Sequence, residues 1–122
     1  MTAGDAFYLN VADSHRYVVA HVDSNPISTI IVFNFTTHRA GRCDETCIIT
    51  PAEYPDLDAD SVIAYRHGLL LQGQELTNFN AVIGKKLPGV KRDVIQKICS
   101  GALDSRFTPG KIKRLLRPPT AP

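Results

Sequence analysis

The chain has no run of apolar residues long enough to cross a bilayer as a helix. Its opening, MTAGDAFYLNVAD, lacks a basic region ahead of an apolar stretch, so it does not read as a secretory signal. Cysteine is scarce. Three residues, an odd number, argue against a disulfide framework. Internal repeats are absent. These absences lead to the expectation of a soluble cytoplasmic protein, and the 122 residues suit one domain, residues 1–117, with a frayed tail over 118–122.

Positive charge is also scarce at first. Residues 1–84 hold four basic residues (Arg16, Arg39, Arg42, Arg66) against ten acidic ones, a net charge of −6. Residues 85–122 reverse this with ten basic and two acidic residues, a net of +8. A basic final third on an acidic molecule points to an anionic partner such as RNA, DNA or an acidic protein segment.

What is present reads as short strands followed by helices. Strands are expected at Ala6 to Val11, Tyr17 to Val22, Thr29 to Phe35, Thr46 to Thr50 and Ser61 to Tyr65. Leu69 to Leu71 is too short to separate strand from helical turn, and Gln74 to Ile83 fits either a short helix or a loop. Asp13-Ser14 and Ser24-Asn25-Pro26 are turns, Pro51 to Asp60 is an acidic loop, and Leu87-Pro88-Gly89 is a break. From Val90, apolar residues recur at helical spacing through Val94, Ile95, Ile98, Ala102 and Leu103. Thr108-Pro109 reads as a cap followed by proline in the first helical position of a short last helix. The expected fold is mainly β with α additions. It is a small barrel or curled sheet of five to seven short strands plus C-terminal amphipathic helices, with its core at alternate strand positions.

The stretch IVFNFTTHRAGRCDETCIIT, residues 31–50, concentrates the polar chemistry. An apolar strand runs into Thr36, Thr37, His38, Arg39 and Arg42, a mixture suited to holding phosphate or to forming a polar turn. His38, Cys43 and Cys47 have the spacing H-x4-C-x3-C, but a structural zinc site needs two clear ligand pairs, so no metal is expected. Cys47 and Cys99 read as small buried groups, and Cys43 as a loop residue. Asp44 and Glu45 read as partners of Arg39 and Arg42.

The order of the pieces resembles the PemK/MazF family of toxin–antitoxin growth inhibitors. Gly4-Asp5 before an apolar strand resembles that family's opening "GD". His15-Arg16-Tyr17-Val18-Val19 resembles its "(H)RP-V-V" strand. The segment ending in NFTT resembles its "P-x-T-S/T" strand end. Ser61-Val62-Ile63 with Leu69-Leu70-Leu71 resembles its "SVV…Q…TLD" segment, and the helix from Val90 resembles its C-terminal helix. The chain departs from that pattern in five ways. Val11-Ala-Asp-Ser14 replaces a long first loop, and Tyr17 replaces a proline. Arg66-His67 stands at the family's "DQ", and neither the insert Cys43 to Asp60 nor the segment after Gly73 has a clear match.

The resemblance implies an SH3-like barrel and a metal-independent endoribonuclease. It also implies a homodimer, a cognate antitoxin as partner, and no cofactor. For RNA cleavage by the 2′-hydroxyl, His15 and His67 are the proton-transfer candidates. Arg16 is the phosphate clamp, and Thr36 and Thr37 are hydroxyl donors. Arg39, Arg42 and Arg66 are the RNA-binding residues. Neighbouring strand residues point to opposite faces, so His15 and Arg16 share one pocket only if a bulge re-aims one of them, and Arg16 is the favoured of the two. Two rival readings stand beside this one. The first is a non-catalytic SH3-like module that binds nucleic acid or protein through its basic helices. The second is the topoisomerase-binding mode of CcdB on the same fold.

Overall fold

The computed structural model describes residues 1–12, 15–24 and 27–117. The expected turns at Asp13-Ser14 and Asn25-Pro26, and the expected frayed tail over 118–122, lie outside them. The chain forms β1 (Ala6–Leu9), β2 (Arg16–Asp23), β3 (Thr29–Thr37), β4 (Ile48–Ile49) and β5 (Ser61–Ile63). A 3₁₀ turn, Tyr65–His67, leads into β6 (Leu69–Gln72), α1 (Gly73–Ala81) and β7 (Ile83–Leu87). The helices α2 (Arg92–Asp104) and α3 (Gly110–Leu116) follow. A mainly β fold of seven strands with helical additions is what the strand-then-helix order predicted.

Every pairing is antiparallel, in the order β4-β5-β3-β2-β1-β7, with β6 added to β3. The long strand β3 organises the sheet. One of its edges pairs with β2 along most of its length. The other edge is shared: Thr29 to Val32 pair with β6, and Phe35 to Thr37 pair with β5. Between them the chain leaves the ladder as residues 64–68. It keeps a single backbone tie there, from the Ala64 N–H to the Asn34 carbonyl at 3.0 Å.

The core differs from the expected alternation. The middle of the sheet is covered on both faces, so its residues are buried consecutively. Val18, Ala20, Ile31, Phe33 and Phe35 join a cluster under α2 and α3 with Ile98, Ala102 and Ile112. Val19, Ile30 and Val32 face the other way, onto Phe7, Leu71 and Phe79 of α1. A bulge between Val19 and His21 adds one residue to β2 opposite β3.

Gly4 ties the start of the chain into this core. Its φ of +98° is a left-handed conformation that suits glycine. Its N–H donates to the Val19 carbonyl and its carbonyl accepts from the Val90 N–H, both at 2.8 Å.

Several boundaries move from their expected places. β1 stops at Leu9, leaving Val11 exposed. β5 stops at Ile63 because Tyr65 turns inward, where its hydroxyl donates to the Ile98 carbonyl at 2.6 Å. Ile83 to Leu87 is a strand with no expected counterpart; its exposed lysines 85 and 86 masked the pattern. α3 begins one residue late. Pro109 is its cap, with an extended ψ of 137°, and the buried Thr108 hydroxyl finds no partner among the described residues.

The insert is anchored to the rest of the fold. Tyr54 is buried, stacks on Phe35 with ring centroids 5.7 Å apart, and donates to the Pro88 carbonyl at 2.6 Å. Glu53 meets Lys97 of α2 at 2.9 Å. The acidic loop is therefore a strap across β3 and α2. Among the described residues, no helix is long and apolar enough to cross a membrane.

Candidate RNA-binding cleft

The gap on the β3 edge opens into a cleft of about 550 Å³. β3 contributes Asn34 and Thr36, and β5 contributes Val62 and Ile63. The turn brings Arg66 and His67, and the segment before β4 brings Arg42, Cys43 and Asp44. The α2–α3 connection adds Arg106 and Phe107, and His15 enters from just before β2.

Three arginines and two histidines thus face one carboxylate, Asp44. That carboxylate is engaged. Oδ2 accepts from the Ser105 hydroxyl at 2.5 Å, and Oδ1 accepts from the Thr46 N–H at 3.0 Å and its hydroxyl at 2.5 Å. Partial burial pushes the Asp44 carboxyl up, but the bonds from Ser105 and Thr46, with Arg106 nearby, outweigh it and hold it below the usual carboxylate range.

Phe107 lies at the centre of the positive charge. The Arg66 guanidinium sits 4.5 Å from its ring centroid and that of Arg106 4.9 Å, both within cation–π range. The ring's place is fixed through its own backbone, because the Phe107 N–H donates to the Ser105 hydroxyl at 3.1 Å.

The structure brings together His15, Thr36, His67, Arg42 and Arg66 of the expected site residues. It does not bring Arg16 or Thr37 to the cleft. They line a neighbouring depression of about 150 Å³ with Asp58 and Ser61, and Thr36 borders both. Arg16 is held there by an ion pair with Asp56 and a 3.1 Å bond to the Tyr8 hydroxyl, near the rings of Tyr8 and Tyr54. Burial works against its charge, and Asp56 together with Tyr8 and Tyr54 more than offsets this, so the guanidinium's affinity for its proton is raised.

Arg39 is exposed, and its carbonyl accepts from the Arg42 N–H at 3.0 Å. Asp44 and Glu45 do not pair with Arg39 and Arg42 as expected. Glu45 takes the His38 ring at 2.7 Å and the Gly41 N–H at 3.0 Å, closing its own loop. Cys43 donates to the Arg39 carbonyl, and Cys47 is buried, with its thiol pushed up by burial. Among the described residues, no group of three or more metal-binding side chains gathers.

Sequence reasoning missed Arg106, Phe107 and Ser105. Their only signal was the tripeptide Ser105-Arg106-Phe107 between two helices, and nothing local says that α2 carries it to the turn at Arg66.

No protein-family model and no curated protein matches the chain in sequence. A solved structure does match in fold: an endoribonuclease in complex with its cognate antitoxin, from a mycobacterial species. The TM-score is 0.56 at 14% identity, over 89% of this chain and 97% of that one. The two proteins share a fold over nearly their whole lengths.

Proposed function

We infer that this chain is the toxin of a type II toxin–antitoxin system and cuts RNA in the cleft without a metal ion. The observation that carries the reading is the convergence of two histidines, a threonine and three arginines on one cationic cleft. The shared fold with a protein named as an endoribonuclease supports it.

The chemistry follows from the side chains. One histidine takes the proton of the 2′-hydroxyl, and that oxygen attacks the adjacent phosphorus. The bond to the 5′-oxygen breaks, and the other histidine protonates that oxygen. The products are a 2′,3′-cyclic phosphate and a 5′-hydroxyl. The Thr36 hydroxyl and the guanidiniums of Arg42 and Arg66 stabilise the charge on the phosphorane. Arg16, paired with Asp56, fixes the start of β2 so that His15 projects into the cleft. Thr37 and Arg39 meet the RNA beyond the cleft rim.

In this reading residues 1–117 act as one domain and the protein works as a homodimer in the cytoplasm. A disordered segment of the antitoxin folds over the cleft and occupies it.

The test is incubation of purified protein with a long RNA in EDTA, beside His15→Ala and His67→Ala. Fragments ending in cyclic phosphate, lost in either variant, are expected. Intact RNA would sink the nuclease reading. A second reading, a binding module without catalysis, draws on Arg66-His67 standing where the family it resembles carries "DQ". Tight, salt-sensitive RNA binding with no fragments would select it.

A further inference from the structure

We propose that Arg106, held beside Arg66 by Phe107, is a second phosphate-binding residue for single-stranded RNA, so that the α2–α3 connection forms one wall of the substrate site. This rests on the RNA-binding reading of the cleft.

Both guanidiniums lie within 5 Å of one ring centroid. Their carbons are therefore no farther apart than the sum of those two distances. Two like charges this close repel. Neither forms an ion pair among the described residues, since the three ion pairs there involve Arg16, His38 and Lys97. The negative ring face offsets part of the repulsion. Asp44, the carboxylate that lines the cleft with them, has both oxygens occupied by Ser105 and Thr46. An anion with several acceptor oxygens completes such a pair, and a phosphodiester supplies them in a geometry guanidinium matches.

The arrangement is built rather than incidental. A chain of hydrogen bonds runs from the Phe107 N–H to Ser105 and on to Asp44. It locks the α2–α3 connection to the segment that carries Arg42. Positively charged grooves that track the backbone, with arginine and aromatic side chains together, are a common way of holding single strands.

The test is fluorescence anisotropy of an all-2′-O-methyl RNA 12-mer, which cannot be cleaved, over a KCl series. Arg106→Gln is expected to lower the salt slope by about 0.7 and to weaken binding about fivefold at 0.1 M KCl. Arg66→Gln should do the same. Phe107→Leu keeps an apolar side chain but releases both arginines. It should weaken binding in the parent protein and less so in an Arg106→Gln background, where only Arg66 is left to release. Lys85→Gln, on exposed β7, should leave the slope near its parent value.

If the parent binds and Arg106→Gln leaves the slope unchanged, the proposal is wrong, whether or not the protein cuts RNA. An Arg106-dependent slope in a protein that cuts nothing supports the proposal and removes the nuclease reading. A parent that does not bind the 12-mer at any salt overturns both.

Discussion

Asp44 couples the cleft to protonation. Its carboxyl sits below the usual carboxylate range in the folded protein, so the folded state binds that proton less readily than the unfolded chain. The stability it contributes is present above the unfolded value of about 3.9 and is lost as pH falls through the lower, folded value. Asp44→Asn should cost about 1 kcal/mol at pH 7, a modest figure because the group is partly solvated. It should also flatten the drop in urea stability between pH 5 and pH 2. A variant with the parent's acid sensitivity would show that Asp44 is not the linkage group. At the same scale, removing either histidine of the cleft is expected to slow single-turnover cleavage of a labelled RNA by a factor of about 10² to 10⁴.

At the scale of elements, α2 makes one tight approach at Gly101. A Cβ on Gly101 would strike the Tyr65 hydroxyl and come within 3.0 Å of the Cys47 Cβ. Gly101→Ala should therefore lower stability by about 1–3 kcal/mol, although alanine is the better helix former. Tyr65→Phe removes the atom in the way. Thermal melts of the two single variants and the pair should show a favourable coupling. A related expectation concerns the strap. Asp56→Ala should lower the melting temperature by removing the carboxylate that pairs with Arg16, and, because that pair is proposed to aim His15, it should also slow RNA cleavage by the folded fraction.

The elements also show what could be read in advance. β2, β3 and α2 announce themselves through β-branched runs and helical spacing, because each buries an uninterrupted apolar surface. β7 does not, because an edge strand with Lys85 and Lys86 outward looks like polar loop. His15, Thr36, His67, Arg42 and Arg66 were legible as residue types that handle phosphate. Their meeting in one cleft was not, since it depends on β5 and β6 docking on the same edge of β3. Arg16 looked like a clamp, but its partner, Asp56, lies forty positions away in an insert without a recognisable pattern.

At the scale of the molecule, folding and RNA binding should respond differently to salt. The fold rests on two apolar clusters, and its three ion pairs among the described residues are few and partly exposed. The cleft gathers the cations that the proposed reading assigns to RNA. Raising KCl from 50 to 200 mM should shift the melting temperature by no more than about 2 °C. Oligonucleotide affinity should fall by about tenfold or more over the same range. Parallel losses of both would mean that the cationic cluster serves the fold rather than a ligand.

The shared edge of β3 has one more consequence. The registers of β5 and β6 are set at opposite ends of β3, and between them Tyr65 is buried and a Cβ on Gly68 would strike Phe33, which leaves Arg66 and His67 as the exposed link. An insertion between Arg66 and His67 should leave both ladders in register. A library that lengthens the chain between Tyr65 and Gly68 would reshape the cleft floor while the scaffold stays in register. On the proposed reading, the number of nucleotides accommodated becomes an engineering variable, one to which evolution has had the same access.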